Sequence, residues 1–343
     1  MDEQRLVYPA KPRTYAAETS ELAAPRGWFA IGQVEDLPRG TLQTHCIAGH
    51  EVVAFRGAGG ALAVLDAYCP HLGAHLGHGG RVDGDELRCP FHGFCFDRTG
   101  ACTRTEYRSR VLPKARLRRW PVVERHGVLL VYYDPHGAPP AFEIPEVSMA
   151  GFAPFLFRHF RLRGHPQETT ENSVDVGHFQ YLHGYREVQT VAAAVMDGAH
   201  LQAHYSFFRP LGRLLGRTLG LRNVIQVNAF GLGYSRIDVH EQQSGLRLRS
   251  LVLCSPRGGG EIDLRVAVAL RDPRLDPEAA PWLRALAPLL LTRAARRAVL
   301  TEYCHDIEQD FDIWRHKKHL PMPGLAVGDG PIGNFRKWAR QFY

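Results

Sequence analysis

The 343-residue sequence lacks several features that would place it in a special structural class. No apolar run reaches the ~20 residues that a membrane-spanning helix needs, and we find no internal repeat and no low-complexity tract. Apolar residues make up 45% and charged residues 22%, which excludes a disordered or collagen-like chain. At roughly 100–200 residues per domain, the length predicts about two globular domains.

Lysine is scarce: five of the 42 basic residues are lysines, and the formal net charge is +7. The chain has no basic helix and no motif that combines aromatic and basic side chains, so we expect no binding to nucleic acid. We interpret the arginines as spread over the surface. A basic face that docks an acidic protein partner is the alternative.

The seven cysteines are an odd number for a disulfide framework. The N-terminus, MDEQR, opens with acidic residues and has no apolar signal segment. We therefore expect a reducing, cytoplasmic location, in which some cysteines are buried thiols and others are metal ligands.

The most apolar segment, residues 282–300, is interrupted by four arginines and by Pro288. We expect it to form a packed surface helix that breaks at Pro288, with no transmembrane span. The alternative is a segment that lies on a membrane surface or covers an apolar pocket.

The pattern along the chain predicts an N-terminal arm over residues 1–26 and a β-domain over residues 27–135. Short β-like runs at 27–31, 52–55, 62–65 and 128–133 are separated by Gly, Pro and Asp. A Pro- and Gly-rich linker over 134–140 leads to a second domain over residues 136–343. That domain has helical patterns at about 168–183 and 279–316 and alternating strands at 247–253 and 262–268, so we predict an α+β fold.

The strongest chemical signal is the pattern C-x-H-x17-C-x2-H, formed by Cys69, His71, Cys89 and His92. Each of two short loops supplies one thiolate and one imidazole. This donor set suits a [2Fe–2S] cluster in which the thiolates hold one iron and the imidazoles the other. A Cys2His2 zinc site is the alternative, but its ligands usually come as a Cys pair followed by a His pair.

A second signal is N-x2-D-x2-H-x4-H, formed by Asn172, Asp175, His178 and His183. The first three residues are three apart, so we expect them to share one helical face. His178 and His183 are five apart, about 140° around an ideal helix at ~100° per residue. Both can reach one metal only if the helix ends or distorts between them, and Gly184 is a plausible stop.

Two imidazoles and one carboxylate on one side of an iron form the facial triad of non-haem Fe(II) oxygenases. The carboxylate must come from elsewhere in the chain, and the best candidates lie in the acidic helical segment over residues 308–314. The alternative is a purely structural role, in which His178 and His183 are ordinary hydrogen-bonded helix histidines.

Together these motifs resemble those of Rieske non-haem iron oxygenase α-subunits, over about residues 27–343. The chain is most similar to the steroid-acting branch, which includes cholesterol 7-desaturases and 3-ketosteroid 9α-hydroxylases. That closer likeness lies in residues 64–68 and 73–77 around the cluster, in DFDIWRHKK at 310–318, and in the C-terminal residues 328–332 and 335–343. The extra loop cysteines of the respiratory-complex type are absent, since Ala74 and Phe91 stand at those positions.

The resemblance implies a Rieske [2Fe–2S] β-domain followed by a helix-grip, START-like catalytic domain that holds mononuclear Fe(II). It points to Asp310 as the third iron ligand, with Asp306 and Asp312 as alternatives, and places Asn172 as a hydrogen bonder beside the iron. It also implies a head-to-tail homotrimer in which Asp175 links an iron histidine to a cluster histidine, His92, of the neighbouring subunit. The alternative for Asp175 is a carboxylate on the helix surface or one that orients His178.

The expected partners are O2, a hydrophobic small molecule and an NAD(P)H-dependent reductase, with or without a ferredoxin. The substrate implied by the branch is a sterol-like polycycle that is hydroxylated or desaturated; an aromatic or natural-product substrate, or demethylation, is the alternative. A pure electron-transfer protein remains a further alternative.

The side chains of Phe179, Tyr181, Phe230 and Tyr234 are candidates for the pocket wall, although plain core packing is the simpler interpretation of each. We interpret Cys46, Cys95 and Cys102 as structural thiols, and His75 and His78 as hydrogen-bonding loop residues.

Overall fold

A computed structural model describes residues 22–107, 113–214 and 217–343. Most of the predicted arm, residues 1–21, lies outside the described residues. Within the described ranges the chain folds into an N-terminal β-region and a C-terminal α+β region, as the sequence predicts.

Three small sheets build the N-terminal region, with strand orders β1-β11-β10, β2-β3-β4-β9 and β5-β6-β7-β8. All pairings in them are antiparallel. The four β-like runs of the sequence are confirmed as β1, β3, β4 and β11. The strands are β1 (Gly27–Gln33), β2 (Thr41–Ile47), β3 (His50–Arg56), β4 (Leu62–Asp66), β5 (Arg81–Asp83), β6 (Glu86–Arg88), β7 (Cys95–Phe96), β8 (Cys102–Arg104), β9 (Arg119–Trp120), β10 (Val122–Arg125) and β11 (Val128–Tyr133).

One seven-stranded antiparallel sheet dominates the C-terminal region, in the order β12-β18-β17-β16-β15-β14-β13. Its long meander of strands explains the alternating pattern of the sequence, because one face of the sheet is buried. The strands are β12 (Leu156–Arg163), β13 (Arg186–Asp197), β14 (His200–Leu214), β15 (Arg217–Phe230), β16 (Tyr234–Glu241), β17 (Arg247–Gly258) and β18 (Glu261–Leu270).

Seven α-helices of the described residues accompany this sheet. They are α1 (Pro166–Glu171), α2 (Val176–Tyr181), α3 (Pro281–Ala285), α4 (Ala287–Leu290), α5 (Arg293–Glu308), α6 (Phe311–His316) and α7 (Ile332–Ala339). The longest, α5, packs on β12 and β18 and buries Leu300 and Cys304. This is the sheet-on-helix arrangement that the helix-grip expectation describes.

The apolar segment of residues 282–300 corrects one expectation. It forms no single helix broken at Pro288; instead α3 ends before Leu286, α4 follows, and Thr292 caps a third helix, α5. Pro288 lies in the first turn of α4. Proline is tolerated there because the backbone N–H groups of a first turn have no acceptor within the helix. Neither α5 nor any other helix in the described part of the chain has the length and hydropathy to cross a bilayer.

The two regions pack closely through β1, β2 and β17. Arg265 on β18 donates to the backbone oxygens of Ala30 and Ile31 at 2.9 and 2.8 Å, and Ser255 donates to Ala30 at 2.8 Å. The division of the chain near residue 135 stays a prediction. These contacts hold the β-region against strands β17 and β18 of the large sheet.

Candidate metal centres and substrate cavity

Two matching loops present the four candidate cluster ligands. The N–H of Cys69 donates to Ala74 and that of Cys89 donates to Phe94, each at 2.8 Å. Each loop then turns at a glycine, Gly73 or Gly93, with φ of 75° and 65°. These left-handed angles favour glycine, which explains why a glycine follows each Cys–His pair.

The loops bring the four side chains together at one tip of the β-region. The rings of His71 and His92 lie 4.7 Å apart between centroids, and both Cys69 and Cys89 are buried. Burial and then the nearby Cys89 thiol raise the pKa of Cys69 to about 12. The Nδ1 atom of His92 is buried and finds no hydrogen-bond partner among the described residues.

This donor set fits a two-iron cluster better than a single zinc. In the described ranges, the one group of three or more such donor atoms within 4.8 Å of one another is the second site treated below. The four loop donors therefore do not converge on one point, as tetrahedral zinc requires. Two pairs of donors, one of sulfur and one of nitrogen, are what a Rieske-type [2Fe–2S] cluster needs.

The neighbouring cysteines and His75 lie outside the candidate donor set, and their structural roles stay a prediction. Cys95 and Cys102 lie on the adjacent strands β7 and β8, and the Cys46 thiol donates to the backbone oxygen of Arg257 at 3.1 Å. All seven cysteines are free. His75 accepts the N–H of Gly77 at 3.0 Å, as expected for a loop residue.

The second site lies where α1 and α2 meet the α5–α6 junction. His178, His183 and Asp310 each offer one ligand atom, and these atoms all lie within 4.8 Å of one another. Asp310 immediately precedes α6, and its Oδ2 lies 3.7 Å from Nε2 of His183. The helix does end between the two histidines, at Tyr181, and Gly184 has a φ of 66°.

Hydrogen bonds orient each of the three side chains toward the shared point. Nδ1 of His178 donates to the backbone oxygen of Asp175 at 2.5 Å, and Nδ1 of His183 contacts Oε1 of Gln309 at 3.1 Å. Asn172 donates to Oδ1 of Asp310 at 3.0 Å. Each contact occupies one side-chain atom and leaves Nε2 of both histidines and Oδ2 of Asp310 available as ligands.

The electrostatics of this site suit a divalent cation. Burial lowers the pKa of His178 to about 4 and also lowers the pKa of His183, so both imidazoles are neutral and able to ligate. Burial raises the pKa of Asp310 to about 7. A cation at the shared point would stabilise the carboxylate form of Asp310, and two histidines plus one carboxylate match the facial triad of non-haem iron.

The expected shared helical face of Asn172, Asp175 and His178 is wrong. Residue Asn172 caps the end of α1, and Asp175 is the N-cap of α2, with its Oδ1 accepting the His178 N–H at 3.2 Å. Asp is a preferred N-cap because its carboxylate satisfies an unpaired helix N–H. The break between α1 and α2 still leaves Asn172 beside Asp310 and Asp175 beside His178.

The two alternative carboxylates have other partners. Asp306 accepts from Arg209 at 3.0 Å and from the hydroxyl of Tyr185 at 2.8 Å. Asp312 is exposed on α6 and pairs with Arg315. The geometry therefore favours Asp310. The side chain of Gln309, which holds His183, was not expected from the sequence.

A large cavity opens from the second site along the inner face of the sheet. Its volume is about 1100 Å³, and it reaches His178, His183 and Asp310. Its apolar wall comes mainly from alternate residues of β14 to β17 and from α3 to α5. The aliphatic and aromatic residues of these strands in the wall are Phe207, Leu211, Leu221, Ile225, Val227, Ile237, Val239, Leu248 and Val252.

Of the four wall candidates, Phe179 lines the cavity. Tyr181 is 87% exposed and belongs neither to the wall nor to the core. Tyr234 is buried core and contacts Nδ1 of His126 through its hydroxyl at 2.8 Å, and Phe230 packs against the same cluster. The missed wall residues show a period of two, but only the sheet order shows which face is inward.

Apart from Asp310, the charged groups in the cavity wall already have partners within the protein. Arg209 contacts both Glu302, at 2.7 Å, and Asp306. Glu241 accepts the N–H groups of Gln243 and Ser244 at 2.9 and 2.7 Å. Because these groups have their partners within the protein, the cavity suits a largely apolar molecule.

Family models and relatives agree with this organisation. A model described as the 3-ketosteroid 9alpha-hydroxylase C-terminal domain matches residues 131–343, and a Rieske [2Fe-2S] domain model matches residues 27–121. A 3-ketosteroid-9-alpha-monooxygenase oxygenase component of Rhodococcus rhodochrous is 30% identical, over 95% of this chain and 84% of its own length. Cholesterol 7-desaturase nvd 1 of Ciona intestinalis is 28% identical, over 93% and 68%.

Solved structures share the fold. Dicamba monooxygenase bound to dicamba superposes with a TM-score of 0.65 at 16% identity, covering 92% of this chain and 96% of that one. NdmA of Pseudomonas putida CBB5 superposes with a TM-score of 0.68 at 17% identity, covering 91% and 88%. An oxygenase component of this kind uses O2, a [2Fe–2S] cluster and mononuclear non-haem iron, and receives electrons from a reductase. The matched models and the identity to oxygenase components show that the chain belongs to the Rieske non-haem iron oxygenases that carry the 3-ketosteroid 9α-hydroxylase C-terminal domain.

Proposed function

We propose that the chain oxidises a C–H bond of a steroid or sterol, by hydroxylation or desaturation. One observation carries this proposal: the His178, His183 and Asp310 donors lie at one end of a cavity of about 1100 Å³ with a mainly apolar wall. That volume is slightly above the roughly 300–1,000 Å³ typical of small-molecule pockets. A polycyclic substrate fits such a space better than a single aromatic ring.

We assign the cluster to Cys69, His71, Cys89 and His92 and the iron to the three donors. When bound there, iron supplies the activation of dioxygen. The chain's own residues set the geometry for it. Asn172, Gln309 and the backbone of Asp175 hold the donor side chains in place, while the apolar wall excludes water and orients the substrate.

Asp175 is our candidate for the link between neighbouring subunits of a homotrimer. Its backbone oxygen touches His178, and its side chain is partly exposed. Exposed apolar residues lie near the cluster loops, and others follow Asp310 along the chain. They are Tyr68, Leu72, Phe91 and Tyr107 near the cluster loops and Ile313, Leu320 and Met322 beyond Asp310.

The remaining partners follow from the same chemistry. We propose an NAD(P)H-dependent reductase, with or without a ferredoxin, as the electron source. The seven free cysteines support a reducing compartment, the cytoplasm.

Metal analysis and product analysis test the proposal. Protein purified without oxygen should hold three irons per chain, two in the cluster and one at the triad. With a surrogate reductase and NADH, 3-ketosteroids or sterols in a mixed panel should yield an oxidised product coupled to O2 uptake. Two irons and no O2 uptake would identify an electron-transfer protein, and turnover only of aromatic or methylated compounds would reject the steroid assignment.

A further inference from the structure

The segment over residues 279–301, which contains α3, α4 and the start of α5, has an unusual charge composition. It carries four arginines and no acidic residue. Two of the arginines, Arg284 and Arg296, donate to the backbone oxygens of Pro277 and Pro154, and these contacts do not neutralise their charge. Arg293 and Arg297 are exposed, and neither has an ion-pair partner within the described ranges.

The inner face of this segment belongs to the substrate cavity. Leu283 and Ala287 are buried, and Leu283, Leu290 and Trp282 contribute to the cavity wall. The segment is therefore a thin cover of two short helices, with the cavity directly beneath it.

The outer face is apolar as well. Leu286 is 45% exposed and Leu289 is 64% exposed, and Trp282 is exposed in part although it also reaches the cavity. Leu211 on β14 also lines the cavity wall and is itself more than half exposed. The cavity wall thus includes exposed apolar side chains from α3 and from β14, and the segment over residues 279–301 adds the exposed Leu286 and Leu289 together with Arg293 and Arg297.

We propose that this outer face, from Trp282 to Arg297, docks on the surface of an anionic lipid bilayer and admits the apolar substrate from the membrane to the cavity. The proposal rests on the proposed function for the identity of the substrate. Apolar tips flanked by cationic side chains are what an interfacial helix needs, because the tips enter the acyl boundary while the arginines contact lipid phosphates.

Charge argues against a second copy of the chain as the occupant. A two-fold contact would place this patch against itself, and four arginines would face four arginines. The exposed apolar residues near the cluster loops and after Asp310 are different residues from those of this patch, and we assign them to the proposed trimer contact.

Vesicle co-sedimentation of the full holoenzyme, without substrate, tests the proposal directly. We expect binding to vesicles of phosphatidylcholine with phosphatidylglycerol and little binding to phosphatidylcholine alone. The double variant Leu286→Glu/Leu289→Glu should lose binding. Val191→Glu/Val195→Glu, at two positions on β13 that are each 57% exposed, is the matched control and should bind like the wild type.

A double charge-reversal variant gives an independent test. Arg293→Glu/Arg297→Glu should weaken binding by roughly 30-fold or more, at about fivefold per lost basic residue. Lys337→Glu/Arg340→Glu removes the same charge from an exposed part of α7 and the turn after it, and should have little effect. The effect of the first pair should shrink at high salt.

Failure to bind anionic vesicles, or equal weakening by the test and control variants, would overturn the proposal. A change of oligomeric state in Leu286→Glu/Leu289→Glu would instead identify the face as an interface between copies and also overturn it. Vesicle binding without turnover of any steroid would reject the proposed function alone. Faster turnover of vesicle-borne than detergent-borne steroid, lost in Arg293→Glu/Arg297→Glu, would support both.

Discussion

The ion pair between Glu171 and Arg336 ties the iron-site helices to the C-terminal helix. Arg336 on α7 donates to both carboxylate oxygens of Glu171, at 2.7 and 2.9 Å, and Lys317 contacts the same carboxylate at 3.4 Å. The Glu171 side chain is buried, and the next residue is Asn172, which holds Asp310. We predict that Arg336→Met destabilises the C-terminal domain and loosens the triad.

The magnitude follows from the burial of Glu171. Removal of one partner from a buried ion pair costs about 3–5 kcal/mol, because the other charge is left unpaired. Lys317 remains near Glu171, so we expect the lower value, about 3 kcal/mol in the free energy of unfolding. For a domain of this size, that corresponds to a decrease in Tm of about 6–12 °C, at roughly 2–4 °C per kcal/mol.

A double variant separates the lost charge from the lost packing. Glu171→Leu/Arg336→Met removes both charges, so it should be more stable than Arg336→Met by at least about 1 kcal/mol. Urea denaturation followed by circular dichroism measures both variants, and their m-values should match the wild type. A loss below about 1 kcal/mol in Arg336→Met, or additive losses in the double variant, would refute a strongly coupled buried pair.

The pH dependence gives a further check on the same pair. Burial alone would raise the pKa of Glu171, but the hydrogen bonds from Arg336 and the charge of Lys317 outweigh it and hold the pKa below its ordinary value of 4.5. A lowered folded-state pKa means that the pair stabilises the fold above the ordinary value and loses this effect as the pH falls through the folded-state pKa. The stability difference between wild type and Arg336→Met should therefore be constant near neutral pH and shrink below about pH 4.5.

Three further predictions concern single residues. His178→Ala should remove about one iron per chain while the visible spectrum of the cluster persists, as measured by metal analysis and absorbance. Asp175→Asn should keep both metals but reduce turnover by at least about tenfold; unchanged product formation would exclude the subunit link. Asp263→Asn should lower the free energy of unfolding by about 2–3 kcal/mol, because it removes the carboxylate that contacts Arg257 and His159 at 2.8 Å each; a loss below about 0.5 kcal/mol in a denaturation assay would contradict this.

Local geometry explains which parts of the two sites were predictable from the sequence. Cys69 and His71 lie in one tight turn, so their spacing and the following glycine already define the loop. The separation of His178 from His183 requires a helix end between them, since ~100° per residue forbids a shared face. The structure has that end at Tyr181.

Contacts between distant parts of the chain were harder to predict from the sequence. The break between α1 and α2 depends on Asp175 as an N-cap, and the preference of Asp for that position was a usable signal. The contact of Gln309 with His183 joins residues 126 positions apart, and no local pattern encodes it. The resemblance singled out Asp310, while the residues alone left several carboxylates open.

The cavity shows why the wall was harder to predict than the ligands. Ile225 and Val227 on β15, and Ile237 and Val239 on β16, line it because side chains two apart share one face of a sheet. The sequence shows this period of two, but it does not show which face of the sheet points into the cavity. That depends on the order of the seven strands and on the position of α5. Tyr181 illustrates the converse. On α2 it lies two residues, about 200°, from the inward-facing Phe179, so its ring points away from the cavity. Ligand positions are thus set by short turns and helix ends, whereas substrate specificity is set by the assembled sheet, and the two can change independently in such a chain.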